Sequence, residues 1–274
     1  MLHGALRAAT TSRAAATIAS ALSGRVARPA TRDRGGIGMN ARGAAVSARG
    51  RVLPVPAPAR ADPARNAPAR KDRRATAAGE SRSMRIVGGR FRGRALKGPS
   101  SDAVRPTSDR LRETVFNILA HGYGDAVAGA RVLDLFAGTG AMGLEALSRG
   151  AAFALFVDDG AAARGLIREN VEALGAGGQS RLFRRDATRM GPAGPNEPFS
   201  LVFCDPPYGQ GLAERALASC ARGGWLARDA LVVVEEAQGT DVTLSAGFSE
   251  VERREYGETK LVLAGFQAEA GSVA

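Results

Sequence analysis

From residue 131 onward the chain predicts a doubly wound α/β sheet folded as one domain, and three observations carry that expectation. Short apolar runs rich in strand formers alternate with stretches whose apolar residues recur at helical spacing, the pattern of a mostly parallel sheet covered by helices. The turn Gly138-Thr139-Gly140 joins one such run directly to a helical stretch. Acids stand where three of the runs end, at Asp158, Asp186 and Asp205, the edge of an open sheet at which ligands bind.

The 274 residues, 45% of them hydrophobic, suffice for one large domain or two small ones. The net charge of +11 is unevenly placed: residues 1–83 hold 16 basic and 4 acidic side chains, the remainder 22 and 23. The alkaline balance therefore belongs to the leader. That leader is mostly Ala, Arg, Pro and Gly, with too little large apolar content to offset its ordering entropy, so disorder is expected for it. Three readings of it are open. It is an organellar transit peptide, since residues 1–32 contain Arg and Ser and no acid; or a basic arm that binds RNA without sequence preference; or sequence upstream of a working start at Met84. The abrupt onset of ordered patterning at Met84 favours the third.

No apolar core of a secretory signal follows the early arginines, and no run approaches membrane-spanning length. The two cysteines, Cys204 and Cys220, are too few for a disulfide framework and fit a reducing compartment. A cytoplasmic location is expected, or an organellar one if the leader is a transit peptide. With His3 and His121 the only histidines, a zinc site or a His-based triad has almost nothing to be built from, and no metal is expected.

Residues 84–87 and 90–96 flank Gly88-Gly89, which predicts a β-hairpin with a two-residue glycine turn. Alternation in its second strand would put Arg90, Arg92 and Arg94 on one face, about 6.7 Å apart, toward a phosphate backbone or toward solvent. Next, Arg105-Pro106-Thr107-Ser108-Asp109 reads as a helix start, with Thr107 or Ser108 as cap and Asp109 in the first turn. Leu111, Val115, Ile118 and Leu119 make its buried stripe, Arg110, Glu113 and Asn117 its polar side, and it ends near Gly122.

Residues 132–136 form the strand before the glycine turn, and Gly138, Gly140 and Gly143 match G-x-G-x-x-G. Such a turn offers backbone N–H groups and a helix N-terminus to an anionic or strongly polar ligand group. The next strand, 153–157, ends in Asp158, 18 residues past Gly140, where nucleoside-binding βαβ units place a ribose-binding acid. A helix then runs to Gly175, and a third strand over 181–184 leads to Asp186, placed to accept from an adenine amine or to serve only its own loop.

Residues 200–204 make the fourth strand, with Cys204 a core residue, and lead into Asp205-Pro206-Pro207-Tyr208. Two prolines make this loop stiff and remove two N–H donors. An exocyclic amino group has two N–H donors, which the Asp205 carboxylate and the Pro206 carbonyl can both accept while Tyr208 stacks on the ring. A helix over 212–220, a fifth strand over 231–234 and an antiparallel pair, 248–254 with 259–264, close the domain.

From Met84 to about Ala264 the chain resembles the RsmD family, bacterial 16S rRNA (guanine-N2)-methyltransferases. The resemblance rests on Met84 to Gly89 with Arg92-Gly93-Arg94, then Arg105-Pro106-Thr107, Arg110, Arg112-Glu113-Thr114, the run from Leu133 to Gly140, and Asp205-Pro206-Pro207-Tyr208. It implies a seven-stranded, Rossmann-like class I methyltransferase sheet over 128–266, with an RNA-binding hairpin and helix extension over 84–127 and a tail over 267–274. It implies S-adenosylmethionine as methyl donor and a guanine of 16S rRNA as target, in naked rRNA or in a small-subunit assembly particle, for a monomeric enzyme. By position, Asp134, Gly138 and Gly140 would hold the methionine end of the donor, with Phe136 and Ala137 of the same turn. Asp158 would take the ribose and Asp186 the adenine. The catalytic set would be Asp205, Pro206, Pro207 and Tyr208, and the RNA-binding set Arg90, Arg92, Arg94, Arg105, Thr107 and Arg110. Relatives usually carry Glu where this chain has Asp158, one methylene shorter but still bidentate.

The D-P-P-Y loop also suits adenine-N6 or cytosine-N4 transfer to DNA, or methylation of a glutamine amide. The glycine spacing alone suits a nicotinamide-dependent oxidoreductase, which would leave the Pro-Pro loop and the lack of a histidine base without a role. An RNA-binding protein with an inactive enzyme core is the third class.

Overall fold

The computed structural model describes residues 84–99 and 109–267. The leader, the helix start with Arg105 and Thr107, and the tail from residue 268 lie outside the described residues. Seven strands form one sheet in the order β3-β2-β1-β4-β5-β7-β6. They are β1 (Arg131–Leu135), β2 (Phe153–Val157), β3 (Ser180–Phe183), β4 (Phe199–Cys204), β5 (Leu226–Ala237), β6 (Phe248–Tyr256) and β7 (Thr259–Phe266). Strands β1 to β5 are parallel, and β7 lies antiparallel between β5 and β6. Among the described residues four helices accompany them: α1 (Asp109–Gly122), α2 (Ala141–Ser148), α3 (Ala161–Leu174) and α4 (Leu212–Arg222).

Both faces of the central strands are covered, which is why β2 reads as an unbroken apolar run and β1 as one interrupted only by Asp134 after its first residue, rather than as alternating ones. Successive residues still point to opposite sides. Val132 packs with residues of α1, α2 and α3 on one face, while Leu133 and Leu135 pack with residues of α4 and with Trp225 on the other. Strand β5 is longer than the expected 231–234. Arg228 and Asp229 interrupt the apolar pattern, but the strand continues through a bulge, with Leu226 paired to Phe199, Leu231 to Leu201, and Asp229 at φ +61.

The N-terminal segment corrects the hairpin expectation. The chain does fold back on itself, with an isolated bridge between Arg85 and Ala95 and a 2.7 Å bond from the Leu96 N–H to the Met84 carbonyl. Gly88-Gly89, however, is not a two-residue turn between strands. Gly89–Phe91 is a 3-10 turn, and the reversal closes with the Gly93 N–H on the Ile86 carbonyl at 2.8 Å. The glycines are required instead by close docking on α2. A Cβ on Gly89, at φ +73, would stand 1.9 Å from the Ser148 carbonyl oxygen. The Ser148 hydroxyl donates to the Gly88 carbonyl at 2.5 Å and accepts from the Phe91 N–H at 2.9 Å, and Glu145 accepts from the N–H groups of Val87 and Gly88 at 2.8 and 2.7 Å.

Glu145 is fully buried and is balanced by two arginines, Arg149 at 2.8 Å and the equally buried Arg112 at 3.5 Å. Arg112 also bonds Asp109 at 2.6 Å and the Arg85 carbonyl. The buried face of α1 is therefore Arg112, Val115, Phe116, Ile118 and Leu119, with the expected Leu111 only partly buried. A buried charge persists only where its partners are buried with it, and a count of apolar residues passes over such a site.

Candidate active site

Strands β1 to β4 end together on one edge of the sheet, and the chain order reverses between β1 and β4, the switch point where a crevice opens in such sheets. Leu135 pairs with Val157 on one side and with Cys204 on the other. The next residue of each strand, Phe136, Asp158 and Asp205, therefore stands at the same edge, one strand spacing of about 4.8 Å apart.

The three glycines of the turn do three different jobs. Gly138 has φ +56, and a Cβ there would meet nothing nearer than the Phe136 carbonyl oxygen at 3.9 Å, so the backbone is open to close approach. Gly140, at φ +77, is the left-handed residue that starts α2. Gly143 serves packing, because a Cβ there would lie 2.4 Å from Phe156 and 3.1 Å from the Asp134 carboxylate. That division of labour, tight turn, open approach and close helix–strand contact, suits a phosphate-free nucleoside ligand as well as a dinucleotide. Phe136 itself sits at φ +57, a strained conformation for a non-glycine residue and one that recurs at ligand sites.

Around this turn the carboxylates are tied to backbone N–H groups. Asp134 is 3% exposed and accepts from the Gly143 N–H at 2.9 Å. Its burial, partly offset by that N–H and reinforced by the neighbouring Asp158 charge, pushes its carboxyl up to about 8. Asp158 is half-buried and accepts from the Gly138 N–H at 2.9 Å and the Gly160 N–H at 2.8 Å. Each carboxylate oxygen has a second lone pair, so two hydroxyls can still be accepted. Asp186 caps a 3-10 turn, accepting from the Thr188 N–H at 2.8 Å and the Thr188 hydroxyl at 2.7 Å, with Arg189 at 3.8 Å. The Thr188 hydroxyl bond is the main cause that holds it below the usual carboxylate range.

Across the switch point, Asp205 is half-buried, Pro206 buried and Pro207 exposed. Tyr208, 37% exposed, is the one exposed large hydrophobic side chain among the described residues. Its hydroxyl donates to Glu235 at 2.9 Å, and the Gly209 N–H donates to Glu236 at 3.0 Å. Both glutamates come from the end of β5 and are buried, at 8% and 2% exposure. Partial burial, with the Glu235 and Asp205 charges beside it, keeps the Tyr208 hydroxyl protonated and above its ordinary range. Cys204 is core, and burial pushes its thiol up as well.

These glutamates escaped the sequence reading although L-V-V-V-E-E carries the same signature, an acid closing an apolar run, as Asp158 does. The arginine row does not form as expected. Arg90 lies in the 3-10 turn, stacked 4.5 Å from the Phe91 ring centroid and bonded to Gln179, and Arg94 donates to the Ala173 carbonyl at 2.6 Å. Arg90, Arg92, Arg94 and Arg110 are all exposed, but the first three do not share a strand face. The extension also reaches the glycine turn: the Thr139 hydroxyl donates to the Met84 sulfur at 3.6 Å, and buried Asn170 donates to both the Thr139 and Lys97 carbonyls at 3.0 Å.

A family model described as "Conserved hypothetical protein 95" matches residues 84–265. The chain belongs to the RsmD family. Ribosomal RNA small subunit methyltransferase D of Escherichia coli K12 is 43% identical over 171 residues, 62% of this chain and 83% of that protein. The Haemophilus influenzae protein of the same name is 34% identical over 56% of this chain and 78% of its own length. The solved structure of yhhF from Escherichia coli, described as a methyltransferase, matches with a TM-score of 0.58 and 36% identity over 68% of this chain and 99% of that one. As a member of the RsmD family the chain is an S-adenosylmethionine-dependent rRNA methyltransferase, which sets aside the oxidoreductase suggested by glycine spacing alone. Among the described residues no cluster of His, Cys, Asp and Glu could hold a metal ion, and no helix is long and apolar enough to cross a membrane.

Proposed function

We propose that the chain transfers the methyl group of S-adenosylmethionine to the exocyclic N2 amine of a guanine in 16S rRNA, acting in the cytoplasm as a monomer on a small-subunit assembly particle. The observation that carries this reading is the register of β4 on β1, which sets Asp205 beside the Phe136 to Gly138 turn rather than elsewhere on the sheet. On the donor side, Asp134 with Gly138 and Gly140 would hold the methionine end, Asp158 the ribose hydroxyls and Asp186 the adenine. The sulfonium of the bound donor supplies the methyl group: the N2–C bond forms as the S–C bond breaks.

The chain's own residues then have three tasks. The N2 lone pair is delocalised into the ring, so the Asp205 carboxylate and the Pro206 carbonyl accept its two N–H bonds, localise the pair and oppose the positive charge that grows on nitrogen. The Tyr208 ring, exposed while its hydroxyl is held by Glu235, stacks on the extruded base and offsets part of the few kcal/mol that unstacking costs. After transfer the N2 proton leaves to Asp205 or to water.

The test uses under-modified small subunits and 16S rRNA from a strain lacking the family enzyme, with tritiated donor and mass spectrometry of the digested RNA. N2-methylguanine is the expected product. Label in adenine or cytosine, or none, overturns the assignment.

A further inference from the structure

The two edges of the sheet carry opposite charge designs. On the β6 edge the charges neutralise one another, Arg253 with Glu250 at 2.7 Å and Arg254 with Glu252 at 2.6 Å. On the β3 edge, residues 180–189 hold four arginines and one acid, a net +3. Charged side chains on an edge strand prevent edge-to-edge pairing, and β6 shows that mixed signs serve that purpose in this protein. The net +3 of residues 180–189 therefore asks for another explanation.

We propose that the β3 edge is a second binding surface for the RNA, a rim of guanidiniums that takes phosphates of nucleotides flanking the target base. Arg181 is exposed on the strand and Arg184 is exposed just past its end, and Arg181 and Arg185 both lie over the Phe183 ring, 5.4 and 5.9 Å from its centroid. Stacking on a fixed ring pre-organises a guanidinium for a planar, bidentate oxyanion. At the crevice end the rim continues into Arg189, with 86% of its side chain exposed, and Arg215 of α4, which holds the Gly211 and Gln210 carbonyls of the loop after Tyr208. Both act on Asp186 electrostatically, which places them at the mouth of the crevice.

At its other end the rim meets the extension, because Arg90 bonds Gln179 and Arg94 the Ala173 carbonyl, the residues that lead into β3. Three strand spacings, roughly 14 Å, separate β3 from β4 and its base-receiving loop. A short single strand leading away from an extruded base spans that distance. The rim rests on the RNA reading of the site, but not on which base or atom is methylated.

The test compares Arg181→Gln/Arg184→Gln with Arg181→Lys/Arg184→Lys, both pairs at exposed positions. Binding of an unmodified 16S rRNA transcript is titrated against salt. Loss of two phosphate contacts lowers the slope of log affinity against log salt by about 1.4, at roughly 0.7 per contact, in the glutamine variant, while the lysine variant keeps it. Arg253→Gln/Arg254→Gln on the β6 edge keeps the wild-type slope. A glutamine variant with the wild-type slope, a lysine variant that loses as much, or a β6 variant that loses as much overturns the rim. If the glutamine variant loses the slope as expected while the wild-type enzyme yields no N2-methylguanine, the function proposed above is overturned and the rim stands.

Discussion

The two halves of the crevice are held in different ways. On the side of the glycine turn each of the three carboxylates is bonded to nearby backbone: Asp134 to Gly143, Asp158 to Gly138 and Gly160, Asp186 to Thr188. On the β4 side the stiff Pro-Pro loop is anchored from a neighbouring strand, through Tyr208 on Glu235 and Gly209 on Glu236. Shape on the first side is a property of the turn itself. On the second it is set by long-range side-chain contacts, so there chemistry can be lost while the fold and donor binding survive.

Asp205→Ala is the sharpest way to break that contrast. It is expected to lower turnover by at least about 100-fold, on the scale of losing one preorganised charge-stabilising group. Donor affinity by calorimetry should stay within about 2-fold, since the loop is not part of the turn. Equal losses of both would move Asp205 out of the catalytic set. Gly143→Ala should do the reverse, because its methyl meets the Phe156 ring at 2.4 Å. A loss of about 1–3 kcal/mol in urea unfolding is expected, with weaker donor binding beside it. Unchanged stability would remove the packing role of that glycine.

The Asp134 carboxyl separates the halves by pH. Its folded-state value is raised from 3.8 to about 8, so the folded protein holds that proton more tightly than the unfolded chain. Its contribution to stability is therefore greatest below the unfolded value, falls as pH rises between the two values and levels off above the folded one. An ammonium ligand favours the ionised form, so donor affinity should increase with pH over the upper part of that window and flatten in Asp134→Asn. A pH-independent affinity in the wild type would sink the pairing. The smallest effect is expected from Tyr208→Phe, which keeps the ring but removes its bond to Glu235. At about 1 kcal/mol, kcat/KM for RNA falls roughly five-fold. A loss as large as that of Asp205→Ala would mean the hydroxyl, not the ring, carries the role of Tyr208.

The sheet, and the acids and glycines at the ends of its strands, were legible in the sequence for physical reasons. Strands buried on both faces leave unbroken apolar runs, glycines mark positions where backbone must turn or approach, and an acid closing an apolar run is costly to place anywhere but at a strand end. What escaped depends on partners distant in the chain. Arg112 and Glu145 occupy buried helix positions because each neutralises the other, and neither is intelligible alone. The Gly88-Gly89 pair fits a hairpin turn locally, but its conformation is dictated by Ser148 and Arg149, some 60 residues away. Arg90 and Arg94 left their expected row for the same reason, captured by Gln179 and by the Ala173 carbonyl near the end of α3.

Helix α2 is only eight residues long, yet one of its ends begins at the open glycine turn and the other grips the N-terminal segment through Glu145 and Ser148. The segment is thus no detachable accessory. Cutting it away would strand a buried carboxylate without two of its donors, and transplanting it onto another core would require this helix to travel with it. Any ordering of the segment would stiffen the glycine turn as well, because a rigid splint of two helical turns joins them.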